Sequence, residues 1–283
     1  MKRRLVHHAF RALAALCALA ACTLFGGIVW AIVQRGWPAV SWRFFTEQIR
    51  LVGADGGIFY NLIGTGILIG TALAVCTPFA LGLALLQGVY LAHHRLRHWL
   101  GVLLFLLNGV PSIVFGILGM IVFVQWLGWG KSWLAGGILL GFMILPTATV
   151  ALTERIRRLP KAYIEAAAGL GLTRPQIIRS VILPQSMGGL VTGSLLGLAR
   201  AAGETAPIMF TATIFAGATI PDGIKENPVL SLPYHIFVLA QDSFDPAVGA
   251  KLWGTALTLL GLVFLLSAIA LPARLNLHEE ARS

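Results

Sequence analysis

The sequence predicts an all-α integral membrane protein of six transmembrane helices with both termini in the cytoplasm. Three observations predict it. Of 283 residues, 57% are hydrophobic and only 11% are charged, where a soluble domain carries about a quarter charged residues. The mean hydropathy is +0.83. The apolar residues gather into six runs long enough to cross a bilayer, at about 20 residues per crossing. Lysine and arginine, finally, are shared unevenly between the segments that join those runs, which is how membrane proteins fix their orientation.

The first run extends from about Phe10 to Val33. Basic residues precede it, and Leu19 to Cys22 looks like the processing site of a bacterial lipoprotein. The run continues well beyond Cys22, however, and a signal-peptide apolar region is only about 7 to 15 residues long, so a retained helix is expected. The second run covers about Ile58 to Ala92, interrupted by Pro78, and the third about Trp99 to Leu127, with Pro111 inside. The fourth is about Leu134 to Leu152, with Pro146 inside; the fifth is about Met187 to Phe215; the sixth is about Leu252 to Leu271. Backbone polar groups in lipid must be paired internally, so each run reads as helix, and the prolines as kinks.

Fourteen basic residues fall on one side of this arrangement: Lys2, Arg3, Arg4, Arg11, Arg95, Arg97, Arg155, Arg157, Arg158, Lys161, Arg174, Arg179, Arg274 and Arg282. Six fall on the other: Arg35, Arg43, Arg50, Lys131, Lys225 and Lys251. The richer side is the cytoplasmic one. Both termini belong to it, as six crossings require. The net charge of +10 is therefore an orientation signal. No basic face interleaved with aromatics is present to hold nucleic acid.

Several chemistries are excluded. Gly130, Lys131 and Ser132 end like a phosphate-binding loop, but Gln125 stands where that motif needs its first glycine. The cysteines, Cys17, Cys22 and Cys76, all lie in apolar runs and read as small buried side chains. The histidines from His93 to His98 alternate with arginines that repel a cation, so no metal site is expected. Paired carboxylates and nucleophile motifs are missing, so the chain is not expected to be an enzyme. Gly66 with Gly70, and Gly193 with Gly197, are small residues four apart that permit close helix packing.

The segment from about 154 to 185 is too polar to span. Lys161 to Leu170 favours helix, and Gly169 and Gly171 supply a stop. Thr173 with Gln176 makes a capping box for a second helix, which Pro184 is expected to limit. Helix, glycine turn and helix would form a short knob on the membrane face. It is either a hairpin joining two spans or a docking element.

This segment resembles the loop shared by membrane subunits of ABC importers. The matching residues are Glu165, Ala166 and Ala167, then Gly171, then Val181, Leu183 and Pro184, with Val181 where isoleucine is usual. Asn108 to Gly116, Leu145 to Pro160 and Arg200 to Pro207 are similar to the membrane subunits of phosphate importers, the Pst type. The last stretch is nearer the A-type than the C-type. The likeness covers roughly residues 58 to 272. It departs at His93, where the family often has an acidic residue near the preceding tyrosine.

The resemblance implies a type I ABC importer permease fold: residues 1–57 as a first helix and periplasmic segment, 58–272 as the transmembrane domain, and 273–283 as a cytoplasmic tail. It implies a second, C-type permease, two ATP-binding subunits and a periplasmic phosphate-binding protein as partners, in a bacterial inner membrane. Inorganic phosphate is the implied substrate, with sulfate, molybdate or phosphonate as alternatives. ATP and Mg would bind the partner ATPase, leaving this chain without a cofactor. Glu165 to Gly171 would couple to an ATPase subunit.

Arg200 and Glu204 stand one helical turn apart inside the fifth run. A charge at the bilayer centre costs about 2.5 to 3.5 kcal/mol even on the mild insertion scale, and such residues face a bundle interior or a water-filled cavity. Two readings stay open. The pair fixes packing, or Arg200 presents donors to an oxyanion or gates its passage while Glu204 limits its hold, with Thr205 adding a hydroxyl. Pro207 is expected to kink the helix beside them.

Overall fold

The structure is a computed structural model, describing residues 2–50, 55–91, 94–217, 220–242 and 245–279. Helices α1 (Lys2–Gly36) and α2 (Trp42–Thr46) come first, followed by a two-stranded antiparallel ribbon, β1 (Ile49–Arg50) with β2 (Asp55–Gly56), that the apolar pattern does not foretell. Then come α3 (Phe59–Leu85), α4 (Leu96–Gly109), α5 (Ser112–Gly119), α6 (Trp133–Arg157), α7 (Lys161–Gly169), α8 (Arg174–Ile177), α9 (Leu183–Ala201), α10 (Ala206–Thr211), α11 (Leu232–Leu239) and α12 (Pro246–Glu279). Five helical stretches among the described residues are long and apolar enough to cross a membrane, or six if the bent pair α4–α5 is one span.

Glycines set the register of the core. A Cβ on Gly189 would meet Arg155 Cβ at 2.7 Å, on Gly193 Ala151 Cβ at 2.6 Å, and on Gly197 Ile144 Cβ at 2.9 Å. Numbers rise on α9 as they fall on α6, so the two helices are antiparallel and nearly touching. Gly137 similarly faces Thr71, Gly141 faces Ala72 and Val75, and Ile156 faces Gly88, so α3 runs parallel to α6. Leu68, Ala72, Cys76, Leu140, Ile144, Ala148, Leu152, Leu190 and Leu198 fill the space between these three helices. Gly193→Leu would drive four carbons into the Ala148–Ala151 backbone, and overpacking a closed core costs about 1–3 kcal/mol. We expect it to lower the thermal inactivation temperature of the purified chain, read by fluorescence-detected gel filtration. Gly66→Leu should leave that temperature unchanged, because a Cβ at Gly66 meets nothing within 4 Å.

Several expectations need correction. Gly66 and Gly70 both face open space and pack against nothing in this chain; only the α9 glycines pack as expected. Cys17 and Cys22 are exposed on α1, and only Cys76 is buried, because α1 offers its apolar surface outward rather than to the core. The third run bends at Pro111 as expected, but as a full break rather than a kink. The chain turns 93° between α4 and α5, since Pro111 offers no N–H and holds Val110 extended at φ −68°, ψ 129°. The fifth helical stretch starts at Arg174 and ends at Ala201, well short of Phe215. Pro207 does not kink it; Pro207 lies in the first turn of α10, where a missing N–H costs nothing.

Pro184 does not limit the second helix of the polar segment either. The stretch Ile178–Ile182 winds as a π turn between α8 and α9, with the Leu183 N–H donating to the Ile178 carbonyl. A wider turn gives the proline ring room that a regular α turn lacks. The α8 helix therefore runs on into the spanning helix α9 as one 28-residue stretch. Of the terminal helices, Gly36 at the end of α1 abuts Trp253 near the start of α12, with the Arg35 guanidinium 4.9 Å from the Trp253 ring centre. His93 lies outside the described residues.

Candidate functional site

Two interrupted helices meet at one point. Helix α4 ends at Gly109, and α9 ends at Ala201. After each break the chain resumes as a short helix, and these two pack together: a Cβ on Gly116 of α5 would meet the Ala206 carbonyl oxygen and Phe210 Cδ2 of α10, each at 2.9 Å. Beside the breaks, Arg200 Nη1 donates to Asn108 Oδ1 at 3.0 Å, and Arg200 Nε lies 3.6 Å from Glu204 Oε1. Glu204 has left the helix. Its backbone N–H closes a turn onto the Ala201 carbonyl at 3.1 Å, so the charge pair spans the break rather than one helical face. Thr205 opens α10 without a hydroxyl cap to that helix.

The depth of this cluster follows from the core register. Gly197 faces Ile144 on α6, so Arg200, one turn on, is level with about residue 140, roughly 7 Å from the midpoint of α6 at 1.5 Å per residue. That is inside a hydrocarbon slab about 30 Å thick. The Arg200 side chain is nevertheless 51% exposed, against 18% for Glu204, and Asn108 is exposed. Lipid cannot cover such a face; protein or water must. Asn108 was not singled out by sequence reasoning. Its signal is an amide in an apolar run two residues before the helix-breaking Val110–Pro111 pair.

A groove leads away from Asn108. A cavity of about 500 Å³ lies between α4 and α6, lined by Gly101, Leu104, Phe105, Asn108, Thr147 and Val150 among others. It shares Gly101, Phe105 and Val150 with a cleft of about 710 Å³ at the start of α4 and the end of α6. The two therefore adjoin along the α4–α6 face.

The polar segment folds into a knob. Helix α7 carries Glu165, Ala166 and Ala167, with Ala167 buried against the core and Glu165 and Ala166 exposed. Gly171 adopts φ +78°, a left-handed conformation that side-chain-bearing residues resist, and its N–H bonds the Ala168 carbonyl at 2.9 Å. The capping box is present: Gln176 Oε1 accepts from the Thr173 N–H and from its hydroxyl, each at 2.8 Å. Leu170 stands at the tip, 83% exposed. Leu183 and Pro184 lie on the far side of the π turn, in the first turn of α9, and are not part of the tip.

Lys131, in the phosphate-loop-like stretch, donates from Nζ to the carbonyls of Met209 at 3.0 Å and Thr213 at 3.3 Å, tying the α6 entrance to the end of α10.

The sequence matches the family described as "Binding-protein-dependent transport system inner membrane component" over residues 77–275. The chain is 30% identical to the phosphate transport system permease protein PstA 2 of Mycobacterium bovis, covering 99% of this chain and 91% of that one. It is 34% identical to the probable phosphate transport system permease protein PstA of Methanocaldococcus jannaschii, covering 95% and 92%. It is also similar in fold to a chain of the inward-facing MetNI methionine ABC transporter, at a TM-score of 0.56 and 18% identity over 77% of this chain and 93% of that one. The interrupted helices, the glycine-turn knob and the long sequence match lead to one conclusion: the chain belongs to the binding-protein-dependent transport system inner membrane component family.

Proposed function

We propose that the chain is a permease subunit of an ATP-driven importer of inorganic phosphate, embedded in a bacterial inner membrane with both termini in the cytoplasm. The observation that carries this reading is the half-exposed Arg200 at membrane depth, bonded to Asn108 across two helix breaks. A guanidinium has five N–H donors. Asn108 engages one, and an oxyanion with several acceptor oxygens suits the remainder. Glu204 repels an arriving anion while holding the arginine, so the anion is received and then released. The similarity to phosphate transport system permeases favours phosphate among oxyanions.

The exposed face carrying Arg200 calls for a cover, and a second, C-type permease supplies it, closing the groove between α4 and α6 into a conduit. A periplasmic phosphate-binding protein delivers the anion. Two ATP-binding subunits hold ATP and Mg and engage the knob at Leu170 and Gly171. This chain brings no cofactor of its own. Because a Cβ at Gly101 meets nothing within 4 Å, Gly101→Ala should leave transport intact. Gly101→Trp fills the groove and should stop labelled-phosphate uptake without changing the amount of chain in the membrane.

The reading is tested by labelled-phosphate uptake at low concentration in cells lacking this chain and in cells given it back. Restoration that ignores excess sulfate and molybdate is expected. Uptake blocked by either competitor would transfer the assignment to that oxyanion, and no restoration would overturn it.

A further inference from the structure

We propose that the cleft at the cytoplasmic end of the groove is a second anion site, built to receive a phosphate group. The inference rests on the transport reading for its orientation. The cleft is lined by Gln87, Arg95, Arg97, His98, Thr153 and Arg157. Basic residues at the end of a span are not themselves a site, because orientation in the membrane alone demands them. What orientation does not demand is the floor. Gln87 is 6% exposed and Thr153 4% exposed, and neither the Gln87 Nε2 nor the Thr153 hydroxyl has a hydrogen-bond partner.

A buried polar group left unpaired forfeits its hydration without return. Both can donate, and the oxygens of a phosphate group are strong acceptors. Both residues line the cleft. Gln87 also lies in a π turn, Leu86–Tyr90, that continues α3. Such turns are rare and cluster at functional positions, since the extra residue re-aims the side chains around it. The one carboxylate in the lining, Glu154, is already engaged by Arg157 at 3.4 Å and by Arg158 at 4.0 Å. The cleft carries three arginines and one glutamate in its lining. Its lining is continuous with the groove that begins at Asn108, so an anion released by Arg200 reaches it next.

Two sources offer the same chemistry: inorganic phosphate leaving the groove, and the headgroup of an anionic lipid. The test uses the membrane complex of permeases and ATP-binding subunits, without the periplasmic binding protein, in nanodiscs of phosphatidylcholine and measures binding of labelled inorganic phosphate. Arg200→Gln is expected to retain one phosphate site. Adding Gln87→Leu and Thr153→Val should weaken that site about tenfold or more. Arg95→Gln, an exposed position that spares the fold, should weaken it in the same direction. Repeating the measurement in phosphatidylglycerol discs separates the sources. Unchanged phosphate binding assigns free phosphate; loss of phosphate binding with phosphatidylglycerol retained through purification assigns the lipid headgroup. If Arg200→Gln abolishes all binding, and the cleft variants bind phosphate and retain lipid like the wild type, the inference is overturned. Liposomal uptake by the same wild-type complex, with the binding protein added, keeps the two readings apart: uptake without a cleft site sinks only this inference, and absence of uptake sinks the transport reading.

Discussion

Arg200→Gln is expected to reduce labelled-phosphate uptake about thirtyfold while leaving the amount of chain in the membrane unchanged. A hydrogen bond to a charged group is worth about 1.5–3 kcal/mol, and every 1.36 kcal/mol is tenfold in rate. Glutamine keeps an amide donor for Asn108 but loses the charge that an anion seeks at membrane depth. Asn108→Ala removes only a neutral partner of the guanidinium, so a loss of a few fold is expected there. Arg200→Lys should fall between the two, because a single ammonium cannot hold Asn108 and an oxyanion in the fixed fork that arginine provides. Uptake in cells, normalised to immunoblotted chain, checks all three.

Leu170→Asp should uncouple transport from ATP hydrolysis. Leu170 projects from the tip of the knob, where nothing in this chain needs it for folding. An apolar side chain so exposed gains its stabilisation only on docking. Burying a leucine contributes about 1.5–3 kcal/mol, and placing an unpaired carboxylate in the same pocket costs more. Uptake should fall by about a hundredfold, and the ATPase activity of the assembled complex should cease to respond to the phosphate-loaded binding protein. The chain itself should melt at its normal temperature in detergent. Normal uptake with Leu170→Asp would remove the knob from the coupling path.

The multi-span helical architecture was readable in the sequence because it rests on one strong signal, the length of the apolar runs. The knob was readable because its devices are local: Gly171 at positive φ and the Thr173–Gln176 capping box need only a few neighbouring residues. Where helices stop inside the membrane was not readable. At Val110–Pro111 and Ala202–Glu204 the sequence marks a kink, whereas the structure has a full break with α5 packed on α10. Pro184 misled for the complementary reason, since a π turn absorbed the clash that ordinarily ends a helix. Arg200 and Glu204 were found as out-of-place charges. Asn108 was passed over because an uncharged amide in an apolar run is a weak signal, and its partnership with a residue 92 positions away has no trace in local sequence. Gly66 and Gly193 share a spacing, yet only the fold tells which of them touches a neighbour.

The most direct test of the central claim is uptake by the double variant Arg200→Met with Glu204→Leu, measured beside the quantity of chain and its partners in the membrane. An ion pair with one half-exposed partner contributes little to stability, about 0–1 kcal/mol. A pair that serves only packing therefore tolerates the exchange. The account predicts a chain that inserts and assembles normally while phosphate uptake stays at background. Wild-type uptake by the double variant would contradict it, and would make Arg200 and Glu204 a packing device with no part in the anion's path.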